Sequence, residues 1–128
     1  MAEVLRLPSE PIAPALARAS VTGVARSLSD VALADLNLLL TEVVSNAVRH
    51  GRITGADEIV VAVDVADDRV TVSVSDTAPG VGVATSASEL AADNRDGGWG
   101  VFLLKRLASE WGIDRHDDKT TVWFSIDR

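Results

Sequence analysis

The stretch Thr41-Glu42-Val43-Val44-Ser45-Asn46-Ala47-Val48-Arg49-His50-Gly51 sits in the clearest helical pattern of the chain. Asp30 is a suitable N-cap, Leu33, Leu36, Leu40, Val43 and Ala47 recur at helical spacing, and Gly51 is a natural stop. The spacing predicts a helix from Asp30 to Gly51 with one buried stripe. Glu42 and Asn46 are four apart, so they project from the same side, one position N-terminal to the buried pair Val43 and Ala47. They belong at the lip of the core. A carboxylate there can accept a proton from a hydroxyl, and an amide oxygen can ligate a hard cation such as Mg²⁺.

Outward from this helix, Ile59, Val61, Val63 and Val65 alternate along one strand, and Val70, Val72 and Val74 alternate with Thr71, Ser73 and Ser75 along another. Ala66-Asp67-Asp68 between them predicts an antiparallel hairpin. On the N-terminal side, Val4 to Leu7 reads as a short edge strand ended by Pro8. A helix from about Pro11 or Pro14 to Leu28 follows, with Ala17, Val21, Val24 and Leu28 on one face, although Gly23 weakens it. On the C-terminal side, a third helix from about Val101 to Trp111 carries Val101, Leu104, Ala108 and Trp111 on one face. Gly112 and Thr120 to Ile126 predict one or two closing strands. Helices on one face of a mostly antiparallel sheet make an α+β fold, a two-layer α/β sandwich.

The 128 residues suit one domain spanning 1–128, which can remove roughly 68% of its unfolded surface from water. Apolar residues form 47% of the chain, no stretch reaches the roughly 20 uncharged apolar residues of a membrane span, and Met1-Ala2-Glu3 lacks a basic signal-peptide head. A soluble cytoplasmic protein, with no membrane partner, is expected. The absence of cysteine excludes disulfides, thiolate metal sites and cysteine nucleophiles, and two histidines disfavour a multi-histidine metal centre. A formal net charge of −7 has the wrong sign for holding a phosphate backbone, so direct nucleic-acid binding is disfavoured.

Two further segments carry chemistry. Asp76 follows the second alternating strand and opens Asp76-Thr77-Ala78-Pro79-Gly80, so its carboxylate can project from a strand end into a cleft and accept from an exocyclic amine. Gly97-Gly98-Trp99-Gly100 precedes the third helix, where close-approaching backbone N–H groups and the helix dipole receive phosphate oxygens well. It is neither a Walker A loop, since no Gly-Lys-Ser or Gly-Lys-Thr follows, nor a dinucleotide fingerprint, since no βαβ unit surrounds it. Between these segments, Ser86 and Glu89 can form a capping box over one short helical turn. Each motif alone has a plainer reading: a solvated polar helix face for Glu42 and Asn46, a Pro-Gly turn for Asp76, a flexible loop for the glycines. The three in this order, each on the element its chemistry requires, read as one divided nucleotide site.

The pattern resembles the GHKL ATPase superfamily, to which gyrase subunits and histidine kinases belong. Glu42 and Asn46 match its N box, Asp76 to Gly80 its first glycine box, Gly97 to Gly100 its second, and Thr121 the threonine of its late strand. The resemblance runs from about Leu7 to Ile126. The segment from Thr41 to Gly51 and the ending Thr-Thr-Val-Trp-Phe are most similar to the stand-alone anti-sigma-factor serine kinases of bacteria, actinobacterial regulators above all. The resemblance implies a histidine-kinase-like, or Bergerat, ATPase fold with ATP and Mg²⁺ as cofactors. It implies that Glu42 activates the attacking hydroxyl, Asn46 binds Mg²⁺, Asp76 reads the adenine amine, and Gly97, Gly98 and Gly100 cover the phosphates. Gly80 would shape the adenine pocket and Thr121 support it. Arg95, just before the second glycine segment, is within reach of a γ-phosphate, though a solvated arginine is the plainer reading. His50 reads as a dipole partner at a helix C-terminus rather than a catalyst.

Two departures stand out: Ala78 where the superfamily has a glycine, and Trp99 where a smaller or polar residue is usual. The implied function is an anti-sigma factor with protein-serine kinase activity, phosphorylating a STAS-type anti-anti-sigma partner and sequestering a sigma factor, with homodimers common among such proteins. The alternative is a binding module of the same fold that works by sequestration alone.

Overall fold

Period-two alternation produces the sheet, whose five strands are β1 (Ala2–Pro8), β2 (Glu58–Val65), β3 (Arg69–Thr77), β4 (Glu110–His116) and β5 (Lys119–Asp127). The structure is a computed structural model that describes residues 2–55, 57–77, 99–116 and 119–128. Every pairing is antiparallel, in the order β1-β2-β3-β5-β4. Among the described residues three helices accompany the sheet: α1 (Ala13–Val21), α2 (Asp30–Thr54) and α3 (Trp99–Leu107), with a short 3₁₀ turn at Val24–Ser27. Both α1 and α3 pack against α2, which lies on β3, β5 and β2, so helices and sheet form two layers. The α+β sandwich read from the sequence is the fold observed.

The core lies between the layers. Ile59, Val61, Val63, Val70, Val72, Val74, Phe124 and Ile126 face inward from the strands and meet Leu36, Leu39, Leu40, Val43 and Val44 of α2. Residues 30–51 have the length and hydropathy of a membrane-crossing helix. Here part of that apolar length, including Leu36, Leu39, Leu40, Val43 and Val44, is buried on the sheet. On the opposite sheet face, hydroxyls satisfy one another across strands, Thr71 with Ser125 at 2.8 Å and Ser75 with Thr121 at 2.9 Å. The Trp123 indole lies so close to Gly112 that a Cβ there would come within 2.6 Å of its Nε1.

Several element ends differ from the sequence reading. Ser29, not Asp30, caps α2: its backbone is extended and its Oγ accepts from the Ala32 N–H at 3.1 Å. Replacing Ser29 by Ala should therefore cost about 1 kcal/mol, read as a lower denaturant midpoint at unchanged m-value. Gly51 does not stop the helix. It is buried inside α2, and the chain leaves the helix at Gly55, whose φ of 82° suits glycine and whose N–H returns to the Gly51 carbonyl. The first helix ends at Val21, before Gly23, and residues 24–27 wind more tightly. Trp111 lies not on α3 but on β4, opposite Phe124.

Candidate functional site

Several described candidate residues converge because α2 packs on the sheet beside β3. A cavity of about 460 Å³, counting the part open to solvent, lies between them. Its α2 wall is Val43, Asn46, Ala47 and His50; Val74, Asp76, Thr120 and Val122 supply the sheet side, and Leu104 of α3 closes one flank. Most of this lining is apolar, with four polar side chains converging on it, the usual make-up of a small-molecule site.

Asp76 is the last inward-facing position of β3 and is only 4% exposed. Its two oxygens are held differently: Oδ2 lies 3.1 Å from Nδ1 of His50, and Oδ1 accepts from the Thr120 N–H at 3.4 Å. A buried carboxylate without water must find such donors. The Thr120 hydroxyl lines the same cavity, buried and without a hydrogen-bond partner within the described chain. A buried hydroxyl of this kind can bond an ordered water or a polar edge of a ligand in the cavity.

Asn46 lines the cavity one turn before His50, and its Oδ1 accepts from the Arg49 guanidinium. Glu42 lies a further turn back along α2, half-buried and outside the lining. A profile of the histidine kinase-like ATPase domain matches residues 7–126. The chain belongs to that family. No curated protein matches the chain closely enough to serve as a named relative. A histidine kinase-like ATPase domain implies ATP binding. The cavity bounded by α2 and the end of β3 combines apolar walls with a buried carboxylate and a buried hydroxyl.

Within this histidine kinase-like ATPase domain, the threonine beside Asp76 is Thr120 rather than Thr121. Thr120 pairs with Asp76 across β3 and β5 and shares its face, whereas Thr121 points to the opposite face and bonds Ser75. Strand parity decides this, since neighbouring residues face opposite ways. His50 is the polar member that the sequence reading left outside the site. Because α2 continues to Thr54, His50 sits within the helix rather than at its end, and its ring reaches Asp76. Gly100 lies in the first turn of α3. Gly80, Gly97, Gly98 and Arg95, together with Ala78 and the Ser86 to Glu89 turn, lie outside the described residues.

Mg²⁺ is the second group the family implies. Among the described residues no cluster of three or more His, Asp or Glu side chains can hold a metal. Asn46 supplies one hard oxygen at the cavity wall, and Mg²⁺ commonly takes one or two protein oxygens while substrate phosphates and water supply the rest. The donor set therefore fits a cation that arrives with a nucleotide.

Proposed function

We propose that this chain is an ATP- and Mg²⁺-dependent protein-serine kinase and cytoplasmic anti-sigma factor. In this reading it phosphorylates a STAS-type anti-anti-sigma partner and thereby switches its hold on a sigma factor. The observation that carries the reading is the succession Glu42, Asn46, His50 along one side of α2, ending on the buried Asp76. The base lies at the Asp76 end, the phosphates run past Asn46, and the serine hydroxyl approaches Glu42.

Each residue then has one task. Asp76 accepts from the adenine amine, and the Thr120 hydroxyl bonds the neighbouring ring nitrogen. Asn46 would hold Mg²⁺, whose charge would offset that developing on the phosphates. Glu42 takes the serine proton as the hydroxyl oxygen bonds to the γ-phosphorus and ADP departs. The Arg49 contact with the same Asn46 oxygen favours a second reading, a sequestering module of this fold that does not turn over ATP.

Calorimetric titration with ATP, with and without Mg²⁺, separates the two. The kinase reading requires Mg²⁺-enhanced binding together with transfer to a partner serine. Asp76→Ala should weaken ATP binding by about 10- to 100-fold, the loss expected for a hydrogen bond to a charged group. Wild-type protein that binds no ATP at millimolar concentration leaves only the module. The acidic chain should meet a basic sigma-factor surface faster at low salt. Co-purification of such a factor, or of a small domain with an acceptor serine, supports the partner assignment, whereas duplex DNA as sole specific ligand at physiological salt opposes it.

A further inference from the structure

The carboxylate of Asp76 does not offer its two oxygens to a base equally. His50 Nδ1 lies 3.1 Å from Oδ2, with side-chain exposures of 12% and 4% for the two residues. An ionised carboxylate only accepts, so Nδ1 carries the proton in this pairing. Among the described residues Oδ1 is less engaged, with one long contact of 3.4 Å from the Thr120 N–H. The unpartnered Thr120 hydroxyl borders the same cavity. Purines differ on the edge that such a group would read. Adenine presents one amine donor beside one ring acceptor, whereas guanine presents two donors side by side, the complement of a carboxylate with both oxygens free.

We propose that His50 sets the base preference of this site: its closer contact orients Oδ2 and weakens it as an acceptor, so that Oδ1 is the stronger acceptor left for a base, which with the Thr120 hydroxyl matches adenine and disfavours the two-point contact of guanine. This rests on the nucleotide reading above. His50 acts through Asp76 and is a positioning residue. Its place inside α2, on a continuous helix and with the ring largely buried, means that the carboxylate is held before any ligand arrives. Pre-organisation of this kind adds discrimination without an ordering cost at binding. A site built for one hydrogen-bond pattern rejects another mainly through the groups left unpaired.

The test is the ratio of ATP to GTP dissociation constants, measured by calorimetry on the full chain, on His50→Leu and on His50→Asn. The asparagine amide nitrogen can take the place of Nδ1, whereas leucine fills the space without a donor. We expect the preference for ATP to fall about tenfold in His50→Leu and to be kept within a few-fold in His50→Asn. A folded His50→Leu that keeps the wild-type ratio overturns the inference, as does a His50→Asn as unselective as leucine. Should the leucine variant fail to fold, the ring nitrogen resonances of His50 in wild-type protein decide. Nδ1 should remain protonated and hydrogen-bonded when ATP binds, and a shift to the other tautomer overturns the role. Wild type that binds neither nucleotide sinks the nucleotide reading and this inference together. Wild type that prefers ATP, alongside an equally selective His50→Leu, sinks this inference alone.

Discussion

Glu42→Gln should bind ATP almost as wild type does and transfer phosphate to the partner serine about 10² to 10⁴ times more slowly. The separation of the two effects follows from where the residue sits. Glu42 is half-buried on α2, one turn before Asn46, and does not line the cavity that would take the base. Its loss therefore removes nothing that holds the purine. In the kinase reading proposed above, what it removes is a proton acceptor, needed only as the serine oxygen attacks. Asn46→Ala should behave differently and damage both binding and transfer, because in the proposed reading Asn46 would hold the Mg²⁺ that would offset phosphate charge in both steps. A single-turnover assay with the cognate partner, run beside calorimetry, reads both quantities. Full transfer by Glu42→Ala would falsify the assignment of the base, whatever the nucleotide titrations gave.

Phe124→Ala should be the most destabilising single truncation in the sheet. The ring is 0% exposed, on the central part of β5, between Val72 of β3 and Trp111 of β4 in register and beneath α2. Removing it costs about 3–5 kcal/mol, combining lost burial with the cavity left behind. A domain of this size holds about 5–15 kcal/mol in all. The variant should therefore melt at least about 10 °C lower, or fail to accumulate as folded protein. Thermal unfolding followed by far-UV circular dichroism gives the answer. A shift of only a few degrees would mean that α2 and the sheet close over the gap.

The strands were legible because one face of each is buried: Val70, Val72 and Val74 alternate with Thr71, Ser73 and Ser75, and the structure buries the valines against α2. The long helix was legible for the same reason, through the stripe from Leu36 to Ala47. What the sequence concealed depended on relations between elements. Thr120 and Thr121 are chemically identical, and only the pairing of Asp76 with Thr120 says which one faces the cavity. His50 looked like a helix-end residue because Gly51 looked like a stop, yet packing keeps that glycine helical and the turn falls at Gly55. Trp111 fits the helical period of Leu104 and Ala108, but the backbone has already become β4 by residue 110. Asp30 and Ser29 are both good caps, and the choice rests on backbone geometry at one residue.

Glu42, Asn46 and His50 stand on a single uninterrupted helix, and eight residues of α-helix span about 12 Å. The distance between the two ends of this row is thus written in the number of residues, not in loops that can flex to compensate. Exchanging a side chain between positions 42 and 50 alters local packing, but inserting or deleting one residue there turns one end of the row by about 100° relative to the other. Descendants of this sequence can accordingly vary in composition along the segment far more freely than in length, and recombination that shifts the reading of α2 by one residue separates its working groups even where every one of them is retained.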